Sequence, residues 1–131
     1  MDILIDTHIL IWFQENNELL ERRRMSLLID PANQIFVSQV SLMELAIKYK
    51  LNKLPGFIVG LPTIVRQIVI DGFTILPIRE AHLLNYQQIP LFEDHRDPFD
   101  RFLVATAISE SMVFMTADRK FEYYNGMIEI V

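Results

Sequence analysis

The sequence predicts an α/β fold, a parallel sheet covered by helices on both faces. Short apolar segments alternate along the chain with helical ones, the pattern of a sheet buried on both sides. Two of those segments are followed by an acid, Asp6 after the first and Asp118 just after the fourth. In open parallel sheets ligands bind there, beyond the carboxyl ends of the strands and near a topological switch point. Crossovers are expected to be right-handed.

The elements follow in order. Residues 2–6 read as a buried strand ending in Asp6, and 7–14 as a short helix. Residues 17–29 read as a second helix with Leu19, Leu20, Leu27 and Leu28 inward and Glu18, Glu21 and Arg22 to Arg24 outward. Asp30-Pro31-Ala32-Asn33 is a turn. Residues 35–37 are a second strand, and Ser38 is a suitable N-cap for a helix to about Leu51. Leu54-Pro55-Gly56 breaks that helix; 61–70 is helical, closed by Asp71-Gly72. Residues 73–76 are a third strand, 79–88 a helix, and 89–96 a polar loop. A helix then runs from Asp97-Pro98 to about Ser111. Asp97 suits the N-cap, and Pro98 the first position, where its missing N–H is harmless. Residues 112–115 are a fourth strand, 118–124 a short helix or turn, and 127–131 a terminal strand.

The 131 residues, 51% of them hydrophobic, are expected to form one domain, 1–131, with a substantial core. Without cysteine there is neither disulfide nor thiolate metal site, which fits a cytoplasmic protein. The N-terminus lacks a basic region and carries acids early, so no secretory signal is expected. No apolar run approaches the length of a membrane span. A net charge of −5 argues against broad nonspecific nucleic-acid binding. It leaves room for a nuclease whose acidic site holds cations.

Asp100, Leu103, Val104 and Ala107 share one helix face. Asp100 therefore heads an otherwise apolar stripe, and a carboxylate there needs compensation, by a cation or as a capping acid. Glu44 is placed by helical spacing beside Val40, Ile47 and Leu51, with an i, i+4 pair to Lys48 as its plainer reading. Asp6, Asp97 and Asp118 each also read as helix caps. Taken jointly, Asp6, Glu44, Asp100 and Asp118 are candidates for one edge of one sheet. Crowded carboxylates raise each other's pKa values, and a hard cation such as Mg²⁺ resolves that conflict.

Four segments carry a family resemblance: Ile5-Asp6-Thr7-His8-Ile9-Leu10-Ile11-Trp12, Ser38-Gln39-Val40-Ser41-Leu42-Met43-Glu44-Leu45, His95-Arg96-Asp97-Pro98-Phe99-Asp100-Arg101 with Ala105-Thr106-Ala107, and Thr116-Ala117-Asp118. In this order and spacing the chain resembles the PIN-domain ribonucleases, specifically the VapC-like toxins of type II toxin–antitoxin pairs. The resemblance implies a three-layer α/β/α fold with sheet order 3-2-1-4-5, which puts Asp6 and Asp118 on neighbouring strands. It implies Mg²⁺-dependent (or Mn²⁺-dependent) hydrolysis of RNA phosphodiesters at an acidic set of Asp6, Glu44, Asp100 and Asp118. Asp6 and Asp100 are first choices as metal ligands, Glu44 and Asp118 complete the site directly or through water, and Asp97 is either a cap or a support. Thr7 and Thr116 are candidate supports, and otherwise local caps. Arg96, Arg101, Arg119 and Lys120 are candidate contacts to RNA phosphates, and otherwise a solvated surface.

The expected partners are RNA, a small antitoxin and a second copy of the chain, with no membrane. Trp12, Phe13 and the 54–62 stretch with Leu54, Phe57 and Leu61 are candidates for an antitoxin groove or homodimer face, against ordinary core packing. Other chemistries lack their residues. His8, His82 and His95 have no metal-binding spacing and read as structural or exposed. There is no Gly-rich phosphate loop. The aspartyl-phosphate phosphatase pattern needs a second acid where His8 stands, and a receiver domain needs a lysine where Asp118 stands. The alternative function is a non-catalytic interaction module.

Overall fold

The computed structural model describes residues 1–54 and 59–131. The elements are β1 (Asp2–Ile5), α1 (Thr7–Glu15), α2 (Arg22–Ile29), β2 (Gln34–Ser38), α3 (Gln39–Lys50), α4 (Leu61–Ile70), β3 (Thr74–Leu76), α5 (Glu80–Gln88), α6 (Pro98–Glu110) and β4 (Val113–Met115), then a 3-10 helix, Arg119–Tyr124. All strand pairs are parallel, in the order β3-β2-β1-β4. Ile3 of β1 pairs with Ile35 and Val113, and Ile5 with Val37 and Met115.

Side chains of β1 alternate between two cores, as the two-residue period of a strand requires. Ile3 and Ile5 join Ile9, Leu10, Leu28, Leu45, Ile64 and Ile68, from α1 to α4. Leu4 joins Leu103, Val104, Phe114, Phe121 and Tyr124, from α6, β4 and the 3-10 helix. Each fully buried Ile or Leu contributes about 1.5–3 kcal/mol. The α/β/α sandwich is thus held from both sides of the central strand.

Among the described residues four strands are formed where five were expected. The terminal segment nevertheless runs in the fifth position, parallel to β4, with a bridge between Phe114 and Ile130. The Phe114 N–H donates to the Glu129 carbonyl (2.8 Å) and the Val131 N–H to the Phe114 carbonyl (2.9 Å). The pairing is too short to make a strand, but the order 3-2-1-4-5 holds as the path of the chain.

Two expectations are corrected. The helix over 17–29 begins only at Arg22. Asn17 captures the chain in a local turn, its side chain accepting from the Leu19 N–H and its carbonyl from the Leu20 N–H, an alternative to helical bonding that Asn readily offers. Leu19 consequently points outward, 60% exposed, while Leu20 is buried. Around Glu44 the apolar stripe is incomplete, since Val40 is buried but Ile47 and Leu51 are exposed. Glu44 is nevertheless buried.

Local signals held at the turns. Gly72, at φ 79°, closes α4, a conformation that favours glycine. Trp12, Phe13, Leu54 and Leu61 pack partly buried against the first core, while Pro55, Gly56 and Phe57 lie outside the described residues. No helix among the described residues is long and apolar enough to cross a membrane.

Candidate metal centre

The carboxyl edge of the sheet is where the acids meet. Asp6 directly follows β1, and its N–H bonds the Met115 carbonyl of β4 (3.0 Å), fixing the two strand ends side by side. Its carboxylate is buried and fully engaged. Oδ1 caps α1 by accepting from the Ile9 N–H (2.9 Å), and Oδ2 accepts a short bond from the Thr116 hydroxyl. Thr116 Oγ1 in turn accepts from the Asp118 N–H (3.0 Å). One buried hydroxyl thereby ties the acid after β1 to the acid after β4. Burial raises the Asp6 carboxyl above its ordinary value, partly offset by the Thr116 and Ile9 bonds.

Glu44 reaches the edge from α3, whose start is fixed by Ser38 accepting from the Val40 N–H. The Thr7 hydroxyl donates to Glu44 Oε1 (2.6 Å) and lies 3.0 Å from Ser41 Oγ. Glu44 Oε2 pairs with Lys48 Nζ at 3.2 Å. The i, i+4 pair and the buried position thus coexist: Thr7 and Lys48 supply the polar partners that a buried carboxylate requires, and Ser41 holds Thr7.

Asp97 is the N-cap of α6, its exposed carboxylate accepting from the Phe99 and Asp100 N–H groups (2.9 and 3.1 Å). Asp100, one turn in, heads the stripe of Leu103, Val104 and Ala107, all buried. Its pKa is pushed up to about 7, first by burial and then by the charges of Asp97, Glu44, Asp6 and Asp118. Carboxylates from four parts of the chain therefore act on one group. Asp118 is exposed and caps the 3-10 helix through the Lys120 N–H (2.9 Å).

His95, which reads from the sequence as structural or exposed, stands against the acids. It is buried, with Nε2 3.0 Å from Asp100 Oδ2 and Nδ1 2.8 Å from the Tyr124 hydroxyl. Its only signal in the sequence was a place five residues before Asp100. His8 is exposed beside Trp12; His82 is buried, bonding Glu110 at 2.8 Å far along α6.

Arg96, Arg119 and Lys120 are exposed near the acids. Arg101 is a correction. It is buried, donating to the carbonyls of Pro90 (2.8 Å) and Ile89 (3.1 Å), with its guanidinium over the Tyr86 ring. A guanidinium so engaged braces the loop before α6 and is unavailable to a phosphate in solvent. Arg101→Met is expected to lower stability by about 1–3 kcal/mol, the penalty for leaving buried carbonyls unpaired. Urea denaturation checks this, and an unchanged midpoint would refute the bracing role.

All donors at this edge are oxygens, the chemistry that suits Mg²⁺ or Mn²⁺. Among the described residues no three acid or histidine side chains stand close enough to enclose an ion as placed. The reason is visible in their bonds: Asp6 is held by Ile9 and Thr116, and Glu44 by Thr7 and Lys48. Of the oxygens of Asp6, Glu44, Asp100 and Asp118, Asp100 Oδ1 and Asp118 Oδ2 have no hydrogen bond among the described residues.

The PIN domain model matches residues 3–126, a span that includes all four acids and both strand ends. The chain belongs to the PIN domain family. The PIN fold is shared with VapBC2 from Rickettsia felis bound to a DNA fragment from its promoter, with TM-score 0.68 and 16% identity over 100% of this chain and 98% of that one. VapBC-1 from nontypeable Haemophilus influenzae gives TM-score 0.64 and 20% identity, covering 100% and 97%. FitAcB from Neisseria gonorrhoeae gives 0.63 and 19%, covering 98% and 95%. Comparison with curated protein sequences finds no significant match. In this PIN domain, β1 and β4 are neighbours across the switch point, and the acids stand beyond their ends.

Proposed function

We propose that this PIN domain, a single unit over residues 1–131, is a Mg²⁺- or Mn²⁺-dependent ribonuclease and the toxin of a toxin–antitoxin pair. The observation that carries the reading is the meeting of Asp6, Glu44, Asp100 and Asp118 at the carboxyl edge of the sheet, where burial and the charges of Asp97, Glu44, Asp6 and Asp118 push the Asp100 carboxyl up. Such mutual repulsion is what a divalent cation relieves. A bound cation would polarise the phosphate and lower the pKa of an attacking water.

The chain's own residues have separable parts. Asp6 and Asp100 are the first ligands, with Glu44 and Asp118 completing the set. Thr7 and Thr116 orient Glu44 and Asp6, and Asp97 holds the start of α6. Arg96, Arg119 and Lys120 are the exposed cations available to RNA phosphates. The partners proposed are an antitoxin and a second copy of the chain, in the cytoplasm; the fold is shared with VapBC-5 from Mycobacterium tuberculosis, a member of the VapBC family of toxin–antitoxin systems, and with a toxin–antitoxin complex from Klebsiella pneumoniae, which supports the antitoxin.

The experiment is incubation of purified protein with single-stranded and structured RNA, with Mg²⁺ or Mn²⁺ and then with EDTA. Cleavage that EDTA abolishes and added Mg²⁺ restores is the expected result. Activity indifferent to EDTA would overturn the metal mechanism. Intact RNA with no cation binding would return the chain to a non-catalytic interaction module.

A further inference from the structure

We propose that His95, held by Tyr124, is a positioning residue for Asp100: the pair fixes the carboxylate so that Oδ1 is presented for a divalent cation. This rests on the metal-site reading above and adds the device that orients one ligand.

The direction of each hydrogen bond follows from what each group can donate. An ionised Asp100 can only accept, so His95 Nε2 carries the proton and donates to Oδ2. In the neutral imidazole with its one proton on Nε2, Nδ1 is bare and can only accept. Nδ1 therefore accepts from the Tyr124 O–H at 2.8 Å. The result is a one-way chain from Tyr124 through His95 to Asp100.

Packing fixes the middle of that chain. His95 is 3% exposed and Tyr124 fully buried. The imidazole meets Phe121 edge-on at 4.9 Å and Tyr124 at 5.4 Å. A ring clamped by two aromatic neighbours has one orientation available, so its bond to Oδ2 sets the plane of the Asp100 carboxylate. Oδ1, without a hydrogen bond of its own among the described residues, is the atom left over. Groups that orient a metal's ligands in this way typically change affinity about 10–100-fold when removed.

The test is Mn²⁺ titration, followed by electron paramagnetic resonance, of the wild type, Asp100→Asn, His95→Phe, His95→Gln and Tyr124→Phe, each first checked for cooperative unfolding. The wild type should bind and Asp100→Asn should not. His95→Phe should bind roughly 10–100-fold more weakly. His95→Gln, which can still donate to Oδ2, should recover much of that loss. Tyr124→Phe deletes one oxygen and keeps the ring packing, so it tests the chain even if His95→Phe does not fold; it should weaken binding several-fold. If the wild type binds and Asp100→Asn does not, but Tyr124→Phe and the folded His95 variants bind as the wild type does, the positioning role is wrong and the metal site stands. If the wild type itself binds no Mn²⁺, both readings fall.

Discussion

Asp100→Asn is expected to lose at least about a hundredfold in Mg²⁺-dependent RNA cleavage, a loss beyond that of a residue that merely supports a metal ligand. The same substitution should stabilise the metal-free protein. Asn is neutral, so it escapes the burial penalty and the repulsion from Asp97, Glu44, Asp6 and Asp118 that push the Asp100 pKa up to about 7. Its Oδ1 can still accept from His95. A gain of about 1 kcal/mol, or roughly 3–5 °C in melting temperature, is the expected scale. Asp6→Asn should abolish cleavage without that gain. Both oxygens of Asp6 accept bonds, from Ile9 and Thr116, and an amide can replace only one of them. Retained cleavage in Asp100→Asn, or a lower melting temperature in EDTA, would sink this account.

The second large effect is a stability that falls as pH rises when no cation is present. The folded protein keeps the Asp100 proton until about pH 7, whereas the ordinary carboxyl value is 3.8. Between those values the unfolded chain binds fewer protons than the folded one, so raising the pH favours unfolding. This contribution is whole below the ordinary value, fades as pH climbs toward 7, and is gone above it. Asp6, raised by burial, acts in the same direction, and His95, lowered by burial, opposes it only below its ordinary value of 6.5. A cation competes with the proton for these oxygens, so its stabilising effect should be large near pH 8 and small near about pH 5. Thermal melts in EDTA and in millimolar Mg²⁺ at both pH values measure this. Stability rising with pH in EDTA, or equal Mg²⁺ stabilisation at both pH values, would contradict it.

Residues whose partners are local were readable from the sequence. Asp97-Pro98 starts α6 as expected because an N-cap needs only the N–H groups of the next turn. Asp71-Gly72 ends α4 because a left-handed residue is a local requirement. The parallel sheet was legible in the same way, since β1 and β2 are short apolar runs that suit a strand buried on both faces. At Asn17 two local signals compete: the leucines favour a helix, and one side-chain bond from the Leu19 N–H outweighs them.

What the sequence determined by itself was the α/β class, the order of elements and the placing of Asp6 and Asp118 after strands. Caps, turns and apolar periodicity fix these within a few residues of each other. What only the tertiary structure decided was who faces whom. Arg101 and Arg96 are both arginines beside a helix start, yet only Arg101 turns inward to the Ile89 and Pro90 carbonyls. Glu44 is buried because Thr7, 37 residues away, meets it with a hydroxyl. His95 orients Asp100 because Tyr124, 29 residues further on, clamps it from the 3-10 helix. A buried polar group takes whichever partner the packed chain brings within about 3 Å, and that is settled only when the layers close on the sheet.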